Sequence, residues 1–150
     1  MAFAIFFSVE SHAQRSITAG GVDITENFAG LTGTSWTNNT TPVTGWYARR
    51  TSGGPDFTAL TQGSGTSNSG ALYSFGSTGA PDRALGSGAS GGTGTVNFGW
   101  RLKNDTGAEI TSLTISYVGE QWRRDNAVAQ TYTVDYLVGS SVTELTGGTW

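Results

Sequence analysis

The chain has no cysteine, one histidine and three prolines, and only 13 % of its residues are charged. Without cysteine there is no disulfide, no thiolate nucleophile and no thiolate metal ligand. The one histidine, His12, sits in an N-terminal stretch that reads "AFAIFFSV" and then "SHA". An apolar run of that length ending in small residues has the form of a secretory leader. We expect residues 1–13 to be a signal peptide cut between Ala13 and Gln14, and residues 14–150 to form a single domain. No basic residue precedes the run, and the competing reading is a buried first strand. After the cut no histidine remains, which excludes Ser–His and Cys–His catalysis and a His-ligated zinc. Eight basic and ten acidic residues remain. Scattered basic residues and an acidic pI near 4.9 do not make the positive face that nucleic acid requires. No apolar run is long enough to span a bilayer. A secreted chain without cysteine suits a bacterial surface or exported protein.

Other residue types are abundant. There are 23 glycines, and with many Ser and Thr they imply frequent tight turns. Five Trp, five Tyr and seven Phe supply the large apolar side chains that disordered chains lack. Apolar residues recur with a period of two and not at helical spacing. In "TVNFGWRLKN", Val96, Phe98, Trp100 and Leu102 share one face, so Trp100 is expected in the core. A turn at "NDTG" and a strand "ITSLTISYV" (110–118) complete a hairpin, and "TYTVDYLVG" (131–139) is a further strand. "DITENF", "GWYARR" and "GALYSFG" are shorter candidates. Residues 63–70 and 86–94 read as long loops. With no helices to cover them, one-sided strands must pack on a second sheet. The expected fold is therefore an antiparallel β-sandwich, jelly-roll-like. The chain stops at "TGGTW", a turn and a lone Trp150, so we expect the sandwich to lack its last strands.

Several motifs match familiar patterns in form only. "GSGASG" fits G-x-G-x-x-G, but dinucleotide binding needs a strand before it and a helix after it, and "GTGTV" follows here. "GASGG" places Ser90 in G-x-S-x-G, with no histidine to take its proton. Lys103, the one lysine, lies on the polar face of a strand and makes a poor partner for a serine. Asn38, Asn39 and Asn104 head N-x-T triplets, as chance supplies in a Thr-rich chain. Two-carboxylate glycoside hydrolysis needs neither His nor Cys, and Glu120, Asp125 and Asp135 are its candidates. No spacing selects a pair among them, and the chain is read as non-catalytic. A structural Ca²⁺ needs only carboxylates and loop carbonyls. Asp56, Asp82 and Asp105 lie in turns, but no D-x-D-x-D loop joins them.

The densest cluster of chemistry is "EQWRRDN" (120–126). A solvent-facing Trp122 flanked by Gln121, Arg123 and Asp125 would make a sugar-binding platform, an apolar plane with polar groups for the hydroxyls. In the other reading Gly119 is a bulge that turns Trp122 into the core. Arg123 or Arg124 would then pair with Glu120 or Asp125 at the sheet edge. Large aromatics usually end up mostly buried, which favours the second reading. Trp46, Tyr47 and Arg49 pose the same question with less local support.

The phrases "ENFAGL", "DRALGS", "NFGWRLKNDTGAEITSLTISYVGEQWRRDN" and "YTVDYLVG", in that order, resemble a β-sandwich region of secreted Gram-negative proteins. Those proteins carry PEP-CTERM or type IX sorting signals, and the likeness runs from about Glu26 to Leu145. It brings no catalytic residue. It implies a cell-surface or matrix module closed by further strands and an acidic segment. The leading expectation for this chain is a non-catalytic module that is adhesive or glycan-binding. The competing expectation is a structural spacer that binds nothing specific.

Overall fold

The computed structural model describes residues 14–54, 56–124, 131–140, 142 and 145. The expected leader, Asp125 and the final "TGGTW" lie outside them. Among the described residues seven short strands form: β1 (Arg15–Ile17), β2 (Trp46–Arg50), β3 (Thr61–Gly63), β4 (Ala71–Phe75), β5 (Ala84–Gly88), β6 (Val96–Trp100) and β7 (Leu102–Asn104). No helix occurs among the described residues, so none there is long and apolar enough to cross a membrane. The chain is all-β.

The strands make three sheets, β1–β7, β2–β6 and β3–β4–β5. In the antiparallel β2–β6 pair, Trp46 lies opposite Trp100, Ala48 opposite Phe98 and Arg50 opposite Val96. These alternate positions share one face. Ala48 joins Leu72 of β4 and Leu85 of β5 in a common core with the loop residues Leu31, Trp36 and Leu60, and Val96 and Phe98 pack against it. The alternation read in "TVNFGW" thus turns Val96 and Phe98 toward the core, and Trp100 lies on the same face. Trp100 is half-buried, as all five residues of β6 are. It stacks on Trp46 at 5.7 Å and 13°, and its indole N–H donates to the Thr44 carbonyl at 3.3 Å. The last residue of a strand is covered by the adjoining turn, not by the facing sheet.

At Arg101 the ladder passes from one sheet to another. Arg101 donates its backbone N–H to Gly45 at 2.8 Å and accepts from Arg15 at 3.0 Å. Gly45 has φ +87, and a Cβ there would sit 2.9 Å from both the Arg101 carbonyl and the Arg15 nitrogen. Only glycine tolerates both the conformation and the approach. Beyond this crossing β7 runs parallel to β1, and β3 runs parallel to β4. Two of the four ladders are therefore parallel, where an all-antiparallel arrangement was expected.

Further expectations also change. "DITENF" is a turn. The Glu26 carboxylate and the Asn27 side chain accept from the backbone N–H groups of Phe28 and Ala29, which diverts the chain from a strand. Phe28 takes φ 56 as a result. Of the loop expected at 86–94, Gly86 and Gly88 belong to β5, and only the Ser90–Gly94 end is a turn. The "NDTG" turn forms as expected, with Asn104 Oδ1 accepting from the Thr106 N–H at 3.1 Å. The runs 110–118 and 131–139 are extended but join no sheet, and their apolar side chains are mostly exposed. Alternation determines which side chains share a face, whereas a ladder also needs a partner edge in the right place.

The most buried polar tie holds β4, β5 and the Leu31 loop together. Ser74, fully buried, donates its hydroxyl to the Leu31 carbonyl at 2.7 Å. Arg83, 7 % exposed, donates to the Ser74 hydroxyl at 2.5 Å and to the Ser74 carbonyl at 2.6 Å. Its charge is met by neutral acceptors, with no carboxylate in ion-pair range among the described residues. Ser74→Ala would strand an Arg83 donor and weaken the Leu31 contact together. The expected cost is about 2–3 kcal/mol, read as a lower urea midpoint at unchanged slope.

At the open end of the β1–β7 pair, the Asp105 carboxylate takes a 2.6 Å contact from Lys103 Nζ and accepts from the Ser16 hydroxyl at 2.5 Å. The Lys103 hydrogen bond, and secondly that of Ser16, hold its pKa below the ordinary aspartate value. A depressed carboxylate contributes stability that is complete above its unfolded-state pKa and is lost as pH falls through the folded one. Titration of the Asp105 carboxyl by NMR should give a midpoint below 3.8, and Lys103→Met should move it upward.

Candidate functional site

Strand β4 carries two kinds of side chain. Leu72 and Ser74 point into the core, while Tyr73 and Phe75 point to the other face. On that face the Tyr73 and Phe75 rings stack at 4.8 Å and 12°. The flanking strands make room for them. Gly86 pairs with Tyr73 and Gly88 with Ala71. A Cβ on Gly86 would lie 2.7 Å from the Phe75 ring, and one on Gly88 would lie 3.2 Å from the Tyr73 ring. On the β3 side, a Cβ on Gly63 would lie 3.0 Å from the same Tyr73 ring. Each ring leans over a glycine diagonal to it, a position within reach of an aromatic side chain. The glycines of "GSG" are therefore seats for two rings and not a phosphate loop.

Trp122 completes the stack. Its indole lies 5.7 Å from the Phe75 ring at an interplanar angle of 8°, and it is half-buried. Its N–H donates to Glu120 Oε2 at 2.8 Å, which holds the plane of the ring. Arg123 Nη1 donates to the Thr66 carbonyl at 3.1 Å, and Gln121 Nε2 donates to the Arg123 carbonyl at 3.1 Å. The loop that contains Thr66 is drawn over the same face by the Tyr73 hydroxyl, which donates to the Ser69 carbonyl at 2.8 Å. Gly65 packs against the Trp122 carbonyl so closely that no Cβ fits there.

Trp122 takes an intermediate position. It is neither in the core nor free in water. One ring face rests on Phe75, and exposed Gln121 and Arg123 flank it. Asp125, the fourth residue expected at this platform, lies outside the described residues. No bulge at Gly119 is needed, because residues 110–119 belong to no ladder. Glu120 spends an oxygen on the indole N–H. Trp46 turns inward, edge-on to Phe28 at 4.8 Å, with its N–H buried and unpaired. Arg49, on the opposite face of β2, pairs with Asp56 at 3.4 Å.

The carboxylates proposed for calcium are dispersed. Asp56 faces Arg49, and Asp105 is held by Lys103 and Ser16. Among the described residues no three acidic or imidazole groups gather. Asp135 lies on the exposed 131–139 run. An open depression of about 430 Å³ lies between residues 18–20 and 106–112, with Glu109 its one ionisable group and no residue shared with the aromatic stack.

Sequence reasoning named Trp122 but not its seat. The signal was present in two matched periods, Tyr73 and Phe75 in "LYSF" against Gly86 and Gly88 in "LGSG". It becomes readable only once β4 and β5 are known to pair. Gly86→Ala should push the Phe75 ring off the strand. The expected cost is about 1–3 kcal/mol, together with a change in near-ultraviolet circular dichroism as the Phe75–Trp122 stack loosens. No family model matches the chain, and no curated protein or solved structure matches it significantly.

Proposed function

We propose that the chain is a secreted, non-catalytic β-sandwich module that attaches its protein to polysaccharide or matrix at a bacterial cell surface. Trp122 is the contact plane in this reading. The observation that carries it is the parallel seating of a half-buried indole on Phe75, beside exposed Gln121 and Arg123. A sugar ring presents axial C–H groups to a flat aromatic face and hydroxyls to amide and guanidinium donors at its rim. A platform that is already fixed loses little rotamer freedom on binding. Here the Glu120 hydrogen bond and the Phe75 stack fix it. The resemblance to regions of PEP-CTERM and type IX-sorted proteins belongs to the same proposal, as does export through the leader at residues 1–13.

A second reading is a structural spacer, and the same stack favours it. Trp122 covers Phe75 and closes the outer face of β3–β4–β5 whether or not a glycan ever touches it. The two readings differ in what the uncovered indole face does.

The test is a glycan-array screen of the 150-residue chain, in calcium and again in EDTA, beside Trp122→Ala and Trp122→Phe. Near-ultraviolet circular dichroism establishes folding for each. The platform reading expects glycan binding by the wild type, a drop of about tenfold or more (1.4 kcal/mol) in Trp122→Ala, and an intermediate loss in Trp122→Phe. A folded wild type that binds no glycan makes the chain a spacer. Binding that disappears only in EDTA would bring calcium into the site.

A further inference from the structure

Of the nine large apolar side chains that stand exposed among the described residues, eight lie on the two extended runs: Leu113, Ile115, Tyr117 and Val118 on the first, and Tyr132, Val134, Tyr136 and Val138 on the second. Their exposures run from 54 % to 86 %. The first run carries four of them, Leu113, Ile115, Tyr117 and Val118, and a tyrosine alone offers about 150–250 Å². Neither run has a ladder among the described residues, so backbone donors and acceptors are open along them. Such an edge recruits another strand unless charge, proline or a bulge blunts it. Residues 110–119 contain no charge and no proline.

We propose that residues 110–118 form an antiparallel ladder with the same run of a second copy of this chain, about a two-fold axis at Thr114. The run is self-complementary in that register. Thr114 meets Thr114, Leu113 meets Ile115, Ser112 meets Ser116, and Thr111 meets Tyr117. Leu113, Ile115 and Tyr117 of both copies then share one face, and Ser112, Thr114 and Ser116 share the other. Threonine opposite threonine is a favourable cross-strand pair. A two-fold interface places one patch against itself, as this pairing does. The second run does not suit the role, since pairing about its centre sets Asp135 against Asp135, a like-charge contact that destabilises a sheet. This inference is independent of the glycan reading, because Trp122 lies outside the run.

The chain has no cysteine, so a single introduced one reports the register. Residues on the axis have Cα atoms about 4.5–5.5 Å apart, within disulfide range. Residues two positions away lie roughly 13 Å from their own copy, beyond it. Under mild oxidation Thr114→Cys should form covalent dimer, and Ser116→Cys should not. The unaltered chain should sediment as a dimer, and Ile115→Lys should sediment as a folded monomer with an unchanged Trp122 signal in near-ultraviolet circular dichroism. A wild type that stays monomeric at about 100 μM, well above a micromolar Kd, overturns the proposal. So does a dimer that persists in Ile115→Lys, or equal cross-linking at positions 114 and 116. If Ile115→Lys does not fold, the two cysteine variants decide the question alone.

Discussion

Strand β4 is covered on both faces, and the other elements are placed by that constraint. A strand that carries apolar side chains on both faces needs a core on one side and a lid on the other, while its backbone is paired in the plane of the sheet with β3 and β5. On the core side Leu72 is fully buried and Ser74 carries the only polar group, already engaged by Leu31 and Arg83. On the other side Tyr73 and Phe75 lie flat across glycines of β3 and β5, and Trp122 closes over Phe75. Remove the glycines and the rings must stand up. The lid residue would then lose its seat.

The Arg83–Ser74 tie belongs to the same arrangement. A buried guanidinium is costly unless its donors are met. The acceptors here are a hydroxyl and a carbonyl of a strand that is itself buried. The tie therefore depends on β4 staying in register with β5, and the register depends on the rings fitting over Gly86 and Gly88. Packing and polar satisfaction support each other at one place in the molecule. The β1–β7 end is held differently, by exposed contacts of Asp105 with Lys103 and Ser16 that respond to pH.

The ionisable groups are spread over separate contacts, with Asp56 on Arg49, Asp105 on Lys103 and Glu120 on the Trp122 indole. The aromatic groups are concentrated instead. In the readings proposed above, the indole plane of Trp122 meets a flat, hydroxylated ligand, and the uncharged 110–118 run meets its counterpart in a second copy.

The sequence by itself determined the class of structure and part of the inward face. Glycine-rich turns, period-two alternation and the absence of helical spacing specify an all-β chain, and "GWYARR", "GALYSFG" and "TVNFGW" form strands because alternation is a local property. Trp122 was also legible as the chemically distinct residue, since it stands in the one dense polar cluster. The partners of each strand were not legible. That β6 pairs with β2, that β3 and β4 run parallel, and that residues 110–118 and 131–139 join no ladder are non-local facts. They depend on which edges the folded chain brings together. The seat of Trp122 has the same origin. "LYSF" and "LGSG" are unremarkable apart, and only their pairing across β4 and β5 makes the glycines a surface on which aromatic rings lie. A side chain's environment is set by neighbours distant in sequence, so tertiary structure alone decided whether the indole was core, platform or lid.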